Sequence, residues 1–213
     1  MLIVETEPIA QRDPQAGPRR PTLIHHANSA PAKRRILETA NRLFYDEGIR
    51  SVGIDRLISE SDVTKATFYK HYGSKDRLIL EYVSGRDAMT RRFITEIIEH
   101  ADGPESAIRD LAEYIADDVE TPGFRGCPFI NAATEFADPR HPVRELVIEH
   151  REWYTETLVE LFKAMGHSLP GEAGDDFLLL RDGAMTGGYA GDPIAATTAM
   201  QRAVERLIGE ARG

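Results

Sequence analysis

The chain has 213 residues, 41% of them hydrophobic and 29% charged, with a formal net charge of -9 at pH 7, a composition that describes a soluble globular protein of one ordinary domain or two small ones. Its sole cysteine, Cys127, rules out an intrachain disulfide and fits a reducing compartment, with the cytoplasm as the expected location. The opening MLIVETEPIA has no basic stretch leading into a long apolar one, and runs such as Phe177–Leu180 fall far short of the ~20 residues that span a bilayer, so neither a secretory signal nor a membrane partner is expected.

Residues 1–30 carry Pro8, Pro14, Pro18 and Pro21 with no sustained apolar period, which predicts a disordered tail. Arg19 and Arg20 are a basic pair that a DNA-contacting arm would use, although such pairs are more often simply solvated. Residues 31–77 hold ten Lys and Arg against seven acids, whereas residues 78–213 hold thirteen against twenty-five. A basic segment joined to an acidic body suggests that only the first part meets a polyanion.

Order is expected from about Ala32, where Ile36, Ala40, Leu43 and Phe44 make one apolar stripe of an amphipathic helix. Lys33, Arg34 and Arg35 crowd its first turn, the wrong sign for the helix dipole, and a phosphate brought there would relieve the repulsion. Gly48 suits the left-handed position that ends this helix. A second helix is predicted over 54–61, with Ile54, Leu57 and Ile58 inward. Asp62 then sits in a tight turn, Thr64 caps a third helix, and Gly73 closes it. Two short helices joined this way make a helix-turn-helix.

On the third helix Phe68 and Tyr72, four apart, are predicted to pack inward. The outward face suits a major groove. Lys65 and Lys70 can donate to guanine, and the methyls of Ala66 and Thr67 can meet thymine. Thr64, Tyr69, His71 and Lys75 are candidates for the flanking phosphates.

Residues 48–79, GIRSVGIDRLISESDVTKATFYKHYGSKDRLI, closely resemble the DNA-binding domain of the TetR family of bacterial repressors, and the resemblance runs from about Ala32 to Tyr82. It implies an all-α, one-component regulator: a helix-turn-helix domain, then a larger helical domain that binds a small molecule and dimerises. It also implies that Lys65, Thr67 and Lys70 face bases, and that Tyr69, His71 and Lys75 face phosphates. Two positions depart from the pattern. Asp62 stands where the family usually has Gly, and Gly53 stands where many members have a Ser or Thr cap.

After Ser74, a good N-cap, a long helix is predicted to about His100, and further helices over 105–120, 129–136, 141–165, 172–190 and 193–211. The division expected is a tail at 1–30, a DNA-binding domain at 31–77, and a regulatory domain at 78–213. The segment GCPFINAATEF, residues 126–136, is similar to a stretch found in a subset of TetR-like regulators, facing the ligand cavity. Candidate pocket residues for an unknown small-molecule effector are Cys127, Phe129, Asn131, Glu135, Phe136, His150, Trp153, Tyr154 and Phe177, with Met165 close by; aromatics at helical spacing also suit a plain core. Cys127 raises an alternative, a thiol- or electrophile-sensing regulator, because Arg125 is near and a helix starts just after it.

Gly183, Gly187, Val204, Leu207 and Ile208 are expected at a homodimer interface, a four-helix bundle about a two-fold axis. Such a dimer would place two recognition helices on a palindromic operator in double-stranded DNA, roughly 34–36 Å apart. No nucleophile–base pair, phosphate loop or metal set stands out, and His141, Glu149 and His150 do not make a convincing metal trio. No catalytic residue and no cofactor are expected. An enzyme, or a helical interaction module with an inactive DNA head, is the weaker reading.

Overall fold

The computed structural model describes residues 32–211, and the tail with Arg19 and Arg20 lies outside them. The helices are α1 (Ala32–Glu47), α2 (Ile54–Glu60), α3 (Lys65–Tyr72), α4 (Lys75–His100), α5 (Pro104–Glu120), α6 (Pro128–Glu135), α7 (Pro142–Ala164), α8 (Pro170–Ala190) and α9 (Pro193–Glu210). Among the described residues no strand occurs, and no helix is long and apolar enough to cross a membrane. The all-α architecture read from the sequence holds.

Five helices, α5 to α9, begin on a proline in their first turn. Proline is pre-set for helical φ and lacks an N–H that would have no partner there anyway. This explains why α6 and α8 start one or two residues earlier than apolar periodicity suggests. The other expected punctuation also forms. Thr64 accepts from the Thr67 N–H, Ser74 from Arg77 and Asp192 from Ala195. Gly48 takes φ 93° and Asp62 takes φ 51°, the left-handed turns required after α1 and α2. Gly53 precedes α2 with no side-chain cap.

The buried residues form one continuous cluster from Ile36 to Ile208. Phe68 and Tyr72 are buried under α1, and the Tyr72 hydroxyl donates to the Lys33 carbonyl at 2.9 Å. Helix α4 belongs to both halves: Tyr82, near its start, meets Phe44 of α1 edge-on, and Phe93, further along, meets Tyr114 of α5. Helices α5, α7, α8 and α9 build the body. Gly188 lets α8 approach α5, since a Cβ there would stand 2.2 Å from Val119 Cγ1. Arg109 of α5 bridges to Glu205 of α9, and Thr197 of α9 donates to Glu120 of α5.

This packing corrects the expectation for the final helix. Val204 and Ile208 are each 1% exposed and pack within the chain, whereas Leu207, 7% exposed, also lines the groove left open across α8 and α9. Val204 and Ile208, four apart, share the inner face, and that face is spent on the body's own core. The surface left open across α8 and α9 instead carries Gly183, Gly187, Leu179 and Ile194, the two large side chains being 66% and 67% exposed. A groove of about 640 Å³ runs along it, lined in part by Leu179, Leu180, Gly183, Ala199 and Arg206, with Leu207 at its edge.

Candidate nucleic-acid interface and effector core

Helix α3 is eight residues long, about 12 Å at the α-helical rise, with Phe68 and Tyr72 locking one side against α1. Lys65, Ala66, Tyr69, Lys70 and His71 are therefore exposed together on the other. Lys65, Lys70 and His71 have no hydrogen-bond or ion-pair partner among the described residues, so their donors are available to a ligand. Thr64 and Thr67 are engaged with each other: their hydroxyls lie 2.8 Å apart, and Thr64 also caps the helix. Placed at the helix N-terminus, they add its partial positive charge to the face.

Lys75 differs from the rest of the set. Its ammonium donates to the Ile49 carbonyl at 2.6 Å and lies 5.8 Å from the centre of the Phe44 ring. Burial pushes its pKa down, partly opposed by the nearby Glu135 carboxylate. A phosphate contact from Lys75 would use its remaining N–H groups or take the place of the bond to Ile49.

The basic first turn of α1 is also committed. Lys33 pairs with Glu81 and Arg34 with Glu38, both at 2.8 Å. Arg35 reaches across to the turn between α2 and α3, donating to the carbonyls of Ser61 at 3.2 Å and Asp62 at 3.0 Å. The charge misfit seen in the sequence is thus answered largely inside the protein: Arg35 satisfies orphan carbonyls at the end of α2 and fixes its angle to α3.

Behind the head, the segment 125–136 makes contacts that sequence reasoning assigned elsewhere. Glu135 does not face a cavity. Its carboxylate accepts the Ile49 N–H at 2.8 Å and the Arg50 N–H at 2.7 Å, in the turn that follows α1. The Tyr45 hydroxyl of α1 donates to the Gly126 carbonyl at 3.0 Å and accepts from the Arg125 N–H at 2.9 Å. Asn131 donates to the Arg125 carbonyl, and Phe136 stacks on His141 and also has the Arg50 guanidinium 5.3 Å from its ring centre. Glu135 and Phe136 therefore bind the body to the head, while Asn131 braces the loop that leads into α6. Spacing alone gave no sign of this, because the partners are backbone groups some 85 residues distant in sequence.

Four of the predicted pocket residues do converge. Cys127, Phe129, His150 and Tyr154 line a cavity with Arg151, Leu178 and Arg181. Its volume is about 10 Å³, room for one water at most. Phe177 is fully buried packing in the neighbouring core. Trp153 stands just outside, with Arg91 over its ring, and Met165 is partly buried against the core.

The cavity walls are polar and tightly paired. His150 is 3% exposed, stacks on Phe129 with ring centres 3.6 Å apart, and hydrogen-bonds Asp87 at 2.8 Å. Burial pushes its pKa down to about 4 despite Asp87, so it is neutral at pH 7. Asp87 is also paired with Arg91. Cys127 is buried, and the cation beside it is not the expected Arg125, which lies against Tyr189. It is Arg181, whose Nη2 donates to Cys127 Sγ at 3.4 Å. An arginine in the middle of α8, with Phe177, Leu178 and Ala184 near it in sequence, is the signal that could have pointed here; its burial is seen only in the fold. Among the described residues no set of three His, Cys, Asp or Glu side chains gathers to hold a metal.

An exposed, cationic short helix presented by a helix-turn-helix, ahead of a helical body with a buried polar centre, matches known proteins at both levels. Residues 36–82 match the family of bacterial regulatory proteins, tetR family. A solved structure from Streptomyces coelicolor, SCO4454, a TetR-family transcriptional regulator, is 40% identical, with a TM-score of 0.83 over 85% of this chain and 96% of that one. The chain belongs to the TetR family. It is a DNA-binding transcriptional regulator. More distant relatives include the HTH-type transcriptional regulator LmrA of Bacillus subtilis, 28% identical over 57% of this chain. Another is the HTH-type transcriptional repressor DhaR of Mycobacterium sp. strain GP1, 25% identical over 58% of this chain. The alignments span 66% and 62% of those two relatives' lengths.

Proposed function

We propose that this TetR-family chain is a homodimeric repressor that a small molecule releases from a palindromic operator. The observation that carries the reading is the double attachment of residues 125–136. At one side Cys127 and Phe129 wall the cavity, and at the other Gly126 and Glu135 are bonded to Tyr45, Ile49 and Arg50. An effector that enlarges the cavity moves that segment, and the head moves with it. To act, the effector must bind the displaced arrangement more tightly than the operator-bound one.

On this reading residues 31–77 are the DNA head and 78–213 the regulatory and dimerising body. Lys65, Ala66, Thr67 and Lys70 read bases, and Thr64, Tyr69 and His71 hold phosphates. Lys75 joins them by exchanging the Ile49 carbonyl for a phosphate oxygen. The α8–α9 face with Leu179, Gly183, Gly187 and Ile194 is the surface that a second copy covers, since it leaves Leu179 and Ile194, two large apolar side chains, exposed beside a groove. The thiol-sensing reading has less support, because Cys127 is buried and held by Arg181.

The test is fluorescence anisotropy of the full chain on DNA from upstream of its own gene, across several salt concentrations, with an unrelated duplex as competitor. Salt-dependent binding that survives the competitor, at two protomers per site, is expected. Failure to select any preferred duplex from a random pool as well would sink the operator reading.

A further inference from the structure

The cavity holds one buried cation whose carboxylate partner is shared with a second arginine. Arg181 is 7% exposed, and a guanidinium stays protonated in proteins, so it needs a fixed negative partner. Its Nη1 donates to Asp182 Oδ1 at 2.7 Å, but the other oxygen of that carboxylate already accepts from Arg151 at 2.6 Å. One carboxylate thus serves two guanidiniums. The rest of the Arg181 guanidinium meets only uncharged partners among the described residues: Nη2 donates to the Cys127 sulfur at 3.4 Å, a weak acceptor, and the group lies over the Tyr154 ring and hydrogen-bonds that residue.

No other wall supplies the missing charge. His150 is neutral at pH 7, Asp87 is shared between His150 and Arg91, and Phe129 and Leu178 are apolar. The Arg181 guanidinium, with Nη2 lacking a charged acceptor, therefore lines the cavity beside flat rings at Phe129, His150 and Tyr154.

We propose that Arg181 anchors a small organic carboxylate, which takes the place of the Cys127 sulfur as the acceptor of Nη2 and lays its body against the Phe129 and Tyr154 rings. This rests on the reading of the body as an effector-binding unit and names the chemical class of its effector. Binding needs the cavity to widen on the Cys127 side, where residues 121–127 form the loop between α5 and α6. Because Cys127 opens α6, the same displacement pulls on the segment bonded to Ile49 and Arg50.

Trp153 is the sole tryptophan of the chain and its ring centre lies 6.2 Å from that of His150, so its emission reports on the site. The full chain is titrated with sodium benzoate against benzamide, and with sodium acetate against acetamide for a site that widens little, at constant ionic strength set with sodium chloride. In at least one pair the carboxylate is expected to shift Trp153 emission and raise Tm at concentrations about tenfold or more below its neutral amide. Arg181→Gln should remove that preference. Circular dichroism establishes whether the variant folds, and if it does not, the acid–amide comparison on the wild-type chain decides. Equal effects of acid and amide, no effect of either, the same response to chloride alone, or a preference kept in folded Arg181→Gln would each overturn the proposal. DNA anisotropy run alongside separates the two readings. Carboxylate preference without operator release supports the site while breaking the regulatory role. Operator binding without carboxylate preference breaks only the site.

Discussion

The outward face of α3 and the cavity in the body use the same residue types in opposite ways. On α3, Lys65, Lys70 and His71 are exposed and unpartnered among the described residues. Around the cavity, His150, Asp87, Arg91, Arg181, Asp182 and Arg151 are bonded to one another. The first region keeps its donors free for a polyanion, at little cost because water solvates them meanwhile. The second has been desolvated, so its groups must find partners within the chain. Changes to the face should therefore act on binding alone, and changes to the interior on stability first.

The largest effect expected marks the boundary between the two regions. Phe68→Ala removes the fully buried support of the recognition face and should cost about 3–5 kcal/mol by denaturant unfolding, with DNA binding lost alongside. A variant of unchanged stability would mean that α3 is not held as described. The interior has its own signature in pH. His150 is pushed down to about 4 by burial, against about 6.5 in an unfolded chain. Below pH 6.5 the unfolded chain takes up a proton that the folded one refuses, so stability is full above that pH and falls as pH drops toward 4. The loss should reach up to about 3 kcal/mol, and His150→Phe should flatten the dependence between those limits. The neighbours that set this are Asp87 and Arg91 on α4 and Arg181 on α8.

On the free face, Lys70→Ala should weaken specific DNA binding by about 1–3 kcal/mol and relax preference at particular base pairs. Its unfolding free energy should stay within about 0.5 kcal/mol of wild type. A comparable loss of stability would erase the contrast. Glu135→Gln tests the join between the regions. The amide can accept only one of the two N–H bonds from Ile49 and Arg50, and without charge assistance, so the change should cost about 1–2 kcal/mol and reduce the extent to which any effector changes DNA affinity. Smallest is Thr64→Ala, the loss of one cap, at about 1 kcal/mol. Its mark would be greater amide exchange in the first turn of α3 than elsewhere in the head.

Local rules made the head legible. Capping by Thr64 and Ser74, the left-handed turns at Gly48 and Asp62, and the i, i+4 pair Phe68 and Tyr72 are all decided within a few residues of sequence. The exposed set on α3 follows from those by helical geometry alone. The same rules failed wherever a side chain's partner lay far along the chain. Lys75 turned to the Ile49 carbonyl, Arg35 to the end of α2, and Glu135 to the backbone beyond α1. Val204 and Ile208 went to the core because α9 packs on α5 as well as α8, which no periodicity could reveal.

Sequence by itself thus determined the helices, most of their ends and the chemistry of the exposed side of α3, since each depends on spacing and on backbone preference. Only the tertiary structure decided which polar groups would be buried together. It brought Arg181 to Cys127 across 54 residues and left two guanidiniums on one carboxylate. Burial turns an ordinary arginine into a demand for an anion, and burial is a property of the packed chain rather than of any stretch of it.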